Sequence, residues 1–371
     1  MKRILEMFGE PITYGGQESV VYNMLSTFRL GEDFTIDLFT PYFADNKKLI
    51  ELVESHKGKV FSLNINFQTN DNRFLLTKHI DDFFSKHSDY DVVHIHTGSL
   101  STMCVYAKSA KKHNVKKVIV HAHSSNSKIT FNYRIRRYLL CKILKKYVDV
   151  FLGCTKESIE SKFIKEIRDR AIVVYNGIDV PKYRFNNDHR KEIRKLYDVE
   201  DKFVIGSVGR LCYEKNNYFM LDILKELNKY NKNIILMIVG TGDTEKALID
   251  KSKELCIEDN VFFIGNINNV EKYYSAFDCF IFPSIFEGLG ISSIEAQICG
   301  LPTFIADNIT KEGRISTGTK YLHNNNLSLW ASNIMDIYNE NVREHNYDID
   351  FDKYDRTKTF KIVENIYLDK S

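Results

Sequence analysis

Two carboxylates eight positions apart, Glu287 and Glu295, frame the segment Phe286-Glu287-Gly288-Leu289-Gly290-Ile291-Ser292-Ser293-Ile294-Glu295. An apolar run, Cys279-Phe280-Ile281-Phe282, precedes it, and the pattern after Gly290 predicts a helix over about 291–299. A strand, a loop with two glycines and a helix N-terminus present backbone N–H groups to an anion. Carboxylates cannot bind that anion, but they can accept hydrogen bonds from hydroxyls beside it. An anion surrounded by hydroxyls describes a sugar nucleotide. Ser292-x-x-Glu295 also reads as a capping box, which would account for Glu295 but not for Glu287 or the glycines. A hydrolytic pair would face each other across about 5–9.5 Å, whereas eight residues of helix rise about 12 Å. Hydroxyl binding is therefore favoured over hydrolysis.

A second constellation is Gly209-Arg210-Leu211-Cys212-Tyr213-Glu214-Lys215-Asn216, after the apolar run Phe203–Val208. Arg210 offers a planar fork for phosphate oxygens and Lys215 a compact point charge. The bland alternative is a solvated loop whose lysine pairs with Glu214. Tyr14-Gly15-Gly16-Gln17-Glu18, between a first strand and a first helix, can set backbone N–H groups against an anion. Gly240-Thr241-Gly242-Asp243 is a similar loop, and neither carries the G-x-G-x-x-G spacing of a dinucleotide site. His121-Ala122-His123-Ser124-Ser125 ends another apolar run, and alternation puts both histidines on one face. His94 and His96 raise the same pattern one strand earlier. Four histidines at adjacent strand ends suggest one polar crevice, in which His96 and His121 are candidate acceptor contacts. The pair at 121 and 123 could hold a metal, but the sequence offers no evident third ligand. Asp348-Ile349-Asp350 contains the D-x-D pattern of some metal sites, yet it lies in a charged stretch before the final helix and reads as a solvated loop.

The elements that must position these residues alternate. Short apolar runs are separated by amphipathic segments, with strands expected at 4–8, 35–39, 60–63, 92–96, 117–120, 150–153 and 172–175 in the first half. In the second half they are expected at 203–208, 234–239, 261–264, 279–282 and 302–305. Helices fall between them, at about 18–29, 73–87, 101–113, 132–147, 156–164, 216–229, 244–256 and 270–276. This is α/β architecture with parallel sheets covered on both faces. The alternation pauses once, over the polar stretch Pro181–Lys202, which reads as a connector with a short helix. The tail reads as an amphipathic helix with Phe360, Ile362, Val363, Ile366 and Tyr367 as its apolar positions.

At 371 residues, two domains are the default. The hydrophobic share of 43% and charged share of 27% are those of a soluble globular protein. Seven scattered cysteines without a C-x-x-C pair suggest reduced thiols and a cytoplasmic setting. The first residues read as a strand interrupted by Glu6, not as a signal peptide. Residues 101–150 hold twelve Lys or Arg and one acid, so this stretch is +11 and the rest −8 within a net charge of +3. Such a face suits an anionic membrane surface or a phosphate-bearing acceptor. It lacks nucleic-acid recognition motifs.

Together these motifs resemble family 4 of the retaining glycosyltransferases, across nearly the whole chain and in order. The resemblance also rests on Phe151-Leu152-Gly153-Cys154-Thr155-Lys156-Glu157, Val174-Tyr175-Asn176-Gly177-Ile178-Asp179, Pro283-Ser284 and Gly300-Leu301-Pro302. Within the family the chain is most like bacterial capsular and exopolysaccharide transferases, through His-Ala-His-Ser-Ser and Glu-Ala-Gln. The resemblance implies the GT-B fold, two Rossmann-like parallel-sheet domains facing a central cleft. Residues 1–182 would form the acceptor-side domain, with a C-terminal helix 352–371 packing back on it, and 183–351 the nucleotide-sugar domain. Glu287 would act catalytically and hold the donor sugar, and Glu295 would hold the ribose. Arg210 and Lys215 would bind the diphosphate with the N–H groups of Gly16, Leu289 and Gly290, and His123 would be the active-site histidine.

The reaction implied is transfer of a hexose from a UDP-linked donor to a saccharide or lipid-diphosphate-linked acceptor, with retention and with neither metal nor cofactor. The loop Gly265–Val270 lacks the arginine often found there in the family, so base contacts would rest on backbone. Within Phe131–Asp149, apolar and basic residues interleave, which suits a peripheral contact with the inner face of the cell membrane. The competing readings are a UDP-sugar epimerase on the same fold and a non-catalytic partner subunit of a transferase.

Overall fold

The computed structural model describes residues 1–67, 76–123, 130–340 and 346–370. The chain divides into two compact units, Met1–Ile178 with Tyr354–Ser371, and Asp179–Lys353. Each is an α/β unit built on a wholly parallel sheet. In the first unit the strands are β1 (Lys2–Phe8), β2 (Phe34–Thr40), β3 (Val60–Ser62), β4 (Val92–His96), β5 (Lys117–Ala122), β6 (Val150–Gly153) and β7 (Ile172–Val173). Their order is β3-β2-β1-β4-β5-β6-β7. In the second unit β8 (Phe203–Val208), β9 (Ile234–Val239), β10 (Val261–Gly265), β11 (Cys279–Phe282), β12 (Thr303–Ala306) and β13 (Thr319–Leu322) run in the order β10-β9-β8-β11-β12-β13. Every residue of β9, Ile-Ile-Leu-Met-Ile-Val, is buried. A strand covered by helices on both faces requires that continuous apolar pattern.

Strand alternation sorts the first sheet into two faces. Leu5, Met7, Val93, Ile95, Val118 and Val120 join one core. Ile4, Phe8, Val92, Ile119 and Leu152 join the other, with Phe360, Val363 and Tyr367 of the helix Arg356–Leu368. Ile362 is 38% exposed, so only part of the expected apolar stripe is used. The returning helix is tied in by backbone: Ile178 N–H donates to Tyr354 O (2.7 Å) and Arg356 N–H to Ile178 O (3.0 Å). That pairing puts the changeover at Ile178/Asp179, a few residues before position 182.

The stretch that reads as a connector is part of the second unit. Its helix, Asn187–Leu196, starts at an Asn186 cap and docks through two arginines. Arg190 and Arg194 grip the buried Asp278 carboxylate at 2.6 and 3.1 Å, and that carboxylate also accepts from Val204 N–H at 2.7 Å. Among the elements the sequence pattern misses are the helix Lys47–Glu54, β13, and the helix Leu327–Glu340 that carries the fully buried Trp330. Of the helix expected at 73–87, residues 73–75 lie outside the described residues, and the helix runs Thr77–Lys86. The D-x-D stretch is anchored rather than a free loop. Ile349 bridges Ser316 and Asp350 N–H donates to Ile315 O at 2.8 Å, while the Asp348 and Asp350 side chains are exposed.

Candidate functional site

In the second unit β8 has β9 on one side and β11 on the other. Chain order reverses there, and the loops after the two strands leave the C-terminal edge side by side, where open α/β sheets bind ligands. Arg210 and Lys215 follow β8, and Glu287 to Gly290 follow β11. The loops are tied together: Ile285 N–H donates to Glu214 O (2.8 Å) and Asn216 Nδ2 to Pro283 O (3.2 Å). Lys215 pairs with Glu287, not with its neighbour Glu214, and its Nζ lies 4.8 Å from the centre of the Phe282 ring. Arg210 is exposed, its carbonyl accepts from Cys212 N–H at 3.1 Å, and its side chain makes no hydrogen bond or ion pair among the described residues. The Gly240-Thr241-Gly242 loop backs this site. A Cβ on Gly240 would stand 2.0 Å from Gly209 O, and one on Gly242 would stand 2.2 Å from Leu211 O. Leu211 N–H donates to Thr241 O at 3.0 Å, so these glycines let a second loop hold the Arg210 loop from behind.

The helix Ile291–Ile298 starts from Gly290, whose φ of +70° favours glycine. The capping box does not form. Ser293 Oγ donates to Gly290 O at 2.8 Å, and Glu295 turns away to accept from Tyr274 OH at 2.7 Å. Among the described residues no acceptor meets the backbone N–H of Leu289 or Gly290, which leaves two donors open at the start of this helix. Burial pushes the Glu295 carboxyl up to about 7, while the Tyr274 and Tyr183 hydroxyls pull it down. Gln297 is wholly buried and structural. Its Nε2 donates to Ser293 O and Gly313 O, and its Oε1 accepts from the Ile315 and Ser316 N–H groups.

In the first unit Gly16 opens the helix Gly16–Leu25, and a Cβ there would meet nothing within 4 Å. The anion position of this loop is partly filled from within. The buried Glu18 carboxylate folds back to the N–H groups of Thr13, Gly15 and Glu18 itself, and burial raises its pKa against those hydrogen bonds. The histidines do gather, but as a packed cluster and not as the lining of an open crevice. His94, His96 and His121 are each at most 1% exposed, and His123 is half-buried. Ser124 and Ser125 lie outside the described residues.

His96 Nδ1 lies 2.8 Å from His123 Nε2, and His96 Nε2 lies 2.6 Å from Glu6 Oε2. Tyr367 OH donates to Glu6 Oε1 at 2.6 Å and is 2.5 Å from His94 Nδ1. The histidines that could share a metal are not the pair at 121 and 123: nitrogens of His94, His96 and His121 lie within 4.8 Å of one another. Both nitrogens of His96 are nevertheless committed, one to Glu6 and one to His123. Glu6 and Tyr367 are missed by sequence reasoning, which takes the first as a break in an apolar strand and the second as an apolar helix position.

The basic segment forms the helix Phe131–Tyr147. Leu140, Cys141 and Leu144 face inward, while Phe131 (75% exposed), Ile135, Tyr138, Leu139 (58%) and Ile143 face out. Beside it a groove of about 400 Å³ is lined by Cys104, Val105, Lys108, Lys142, Ile143 and Lys146. No described helix is long and apolar enough to cross a membrane.

Two parallel sheets of Rossmann type, each with a switch point and with polar side chains at its strand ends, define the GT-B class. The structure of Anabaena HepE in complex with UDP shares this fold, with a TM-score of 0.72 at 17% identity, covering 99% of this chain and 95% of that one. Residues 14–182 match the profile described as Glycosyltransferase Family 4, and residues 188–341 the one described as Glycosyl transferases group 1. The chain belongs to the family 4 glycosyltransferases. EpsF of Bacillus subtilis, named as a glycosyltransferase, is 25% identical over 90% of this chain and 87% of its own. The capsular polysaccharide biosynthesis glycosyltransferase CapH of Staphylococcus aureus is 27% identical over 77% of this chain and 79% of its own.

Proposed function

We propose that this glycosyltransferase moves a hexose from a UDP-linked donor, with retention, to a saccharide or lipid-diphosphate-linked acceptor of a bacterial surface polysaccharide. The observation that carries the reading is the Lys215–Glu287 pair at the switch point of the second sheet, beside the open N–H groups of Leu289 and Gly290. On donor binding Lys215 leaves Glu287 for the diphosphate, and Glu287 accepts from hydroxyls of the sugar. Arg210 takes a second phosphate edge, and Glu295 holds the ribose against Tyr274. As the bond from C1 to the diphosphate oxygen breaks, positive charge grows on the ring and negative charge on the leaving group. Fixed cations and N–H donors stabilise that charge, in the place a metal takes in other transferases. The family resemblance assigns the Gly16 N–H to the diphosphate and His123 to the transferred sugar. HepE, whose structure holds UDP, supports the choice of base.

The acceptor side rests on the helix Phe131–Tyr147, whose exposed apolar residues and flanking lysines suit an anionic bilayer that carries a lipid-linked acceptor. CapH, named for capsular polysaccharide synthesis, supports the pathway. The test is a thermal-shift screen of nucleotide sugars, followed by transfer to a lipid-linked acceptor with chelator present and NMR of the product's anomeric configuration. An inverted anomer would refute retention, and loss of turnover on chelation would refute metal independence.

A further inference from the structure

The buried polar cluster of the first unit is a chain with a direction. From Glu6 on β1, beside the central strand β4, it runs through His96 at the end of β4 to His123 just past β5, with contacts of 2.6 and 2.8 Å. Tyr367 of the helix Arg356–Leu368 closes the far side of the carboxyl, and His94 backs Tyr367. His121 packs against His94, His96 and His123, and neither of its ring nitrogens has a hydrogen-bond partner among the described residues. These are the titratable groups facing Glu6 from the strands and the helix, and no Lys or Arg pairs with it among the described residues.

Each imidazole in such a chain donates from one nitrogen and accepts at the other. With Glu6 ionised, His96 donates from Nε2 to the carboxylate. Its Nδ1 then accepts, so His123 must donate from Nε2 and carries a lone pair on Nδ1. With Glu6 neutral, the carboxyl O–H donates to His96 Nε2. His96 then donates from Nδ1 to His123 Nε2, and His123 carries its proton on Nδ1. Tyr367 donates to Glu6 Oε1 in both states. The Nδ1 of His123 is the end of the chain and has no partner among the described residues.

We infer that Glu6 and His96 are positioning residues that set whether His123 Nδ1 offers a lone pair or an N–H, and that a proton taken up at His123 is held on Glu6. The step balances. A proton binds His123 Nδ1, the Nε2 proton of His123 passes to His96 Nδ1, and the Nε2 proton of His96 passes to Glu6 Oε2. One proton is gained, the carboxylate becomes a carboxyl, and both rings end neutral. Burial supports this partition: it pushes Glu6 up to about 8, His96 down to about 3 and His123 well below the ordinary histidine range. A carboxyl is the member of the chain that holds the proton without placing a charge among apolar residues.

The consequence for transfer rests on the reading of His123 as the active-site histidine, so the test reads the rings first, without substrate. Protein labelled with ¹⁵N-histidine is titrated by long-range ¹H–¹⁵N NMR from about pH 6 to about pH 10, with a His123→Asn sample assigning the ring. The expected result is a His123 that stays neutral and changes from the Nδ1–H to the Nε2–H tautomer as pH rises. In Glu6→Gln the tautomer stops responding to pH. Tyr367→Phe, which removes a hydrogen bond that lowers the Glu6 pKa, moves the change to higher pH. A tautomer constant across the range in the wild type, an imidazolium signal from His123, or a change that persists in Glu6→Gln overturns the relay. A transfer rate whose pH profile follows the tautomer links the relay to catalysis. A tautomer change that the rate ignores leaves the relay standing and removes His123 from the reaction.

Discussion

The two sheets end their central strands in opposite ways. In the second unit the residues after β8 and β11 are ions that reach the surface: Arg210 is exposed, and the Lys215 and Glu287 side chains keep 18% and 26% of their area exposed. In the first unit Glu6, His94, His96 and His121, near the ends of β1, β4 and β5, are packed away from water, and burial disfavours charge on each. Surface ions rearrange at little cost when a ligand offers better partners, because water already screens them. A buried neutral network cannot take on a charge cheaply, so it responds by moving protons along hydrogen bonds. On the proposed reading, one sheet offers charge to a diphosphate, and the other offers hydrogen-bonding groups whose polarity depends on one carboxyl.

The largest effect that would break this contrast is at the loops after β8 and β11. Lys215→Ala should lower turnover about 100- to 1,000-fold, the cost of removing a donor aimed at developing charge, with an unchanged melting temperature. Glu287→Gln should act mainly through the donor sugar, and near-normal steady-state rates in both variants would remove the assignment. Next in size is Asp278→Ala, which strands Arg190 and Arg194 and the Val204 N–H. Breaking a buried pair from one side costs about 3–5 kcal/mol, and urea denaturation should show the loss in the second unit.

A smaller effect separates the two kinds of polar group by pH. The folded Glu6 carboxyl sits near 8 against an ordinary 4.5. Within that window the native state keeps a proton that the unfolded chain has released, so stability falls as pH rises. The buried histidines work in reverse. Below their ordinary 6.5 the unfolded chain binds protons that the folded rings refuse, so stability falls as pH drops. Stability should peak near pH 6.5, and Glu6→Gln should flatten the alkaline side, leaving the part owed to Glu295. Unfolding curves across the range decide this. The smallest effect is at the outer helix. Phe131→Ser with Leu139→Ser should weaken co-sedimentation with anionic vesicles several-fold through lost apolar contact, and added salt should weaken the wild type through its lysines. Binding indifferent to lipid charge, salt and both substitutions would refute the membrane contact.

The β-α alternation and the parallel sheets were legible because buried strands must be continuously apolar, as β9 is. Lys215 and Glu287 were legible as types near strand ends, but not their pairing. Lys215 has Glu214 beside it in sequence and chooses Glu287, 72 positions away, because the switch point sets the two loops together. The capping box was legible and did not form, since Gly290 already turns the chain and Tyr274 competes for Glu295. Glu6 was readable in principle. Alternation along β1 puts it on the face of Ile4 and Phe8, and the register sets it against His94. Tyr367 was not, because its hydroxyl meets Glu6 only through a contact spanning 361 residues. The helix Leu327–Glu340 was hidden by the Asn run before it, although Leu327, Trp330, Ala331, Ile334 and Ile337 carry a helical spacing.

The return of the helix Arg356–Leu368 to the first unit has a consequence for synthesis. A ribosome makes β1 well before Tyr367, so the face bearing Glu6 and His94 waits, uncovered, while the whole of Asp179–Lys353 emerges. The second unit can complete its core before Tyr367 is made, whereas the first closes only after Tyr367 has emerged. Contacts of such long range slow folding and prolong the exposure of apolar surface. The nascent first unit is thus the part of this molecule most dependent on chaperones.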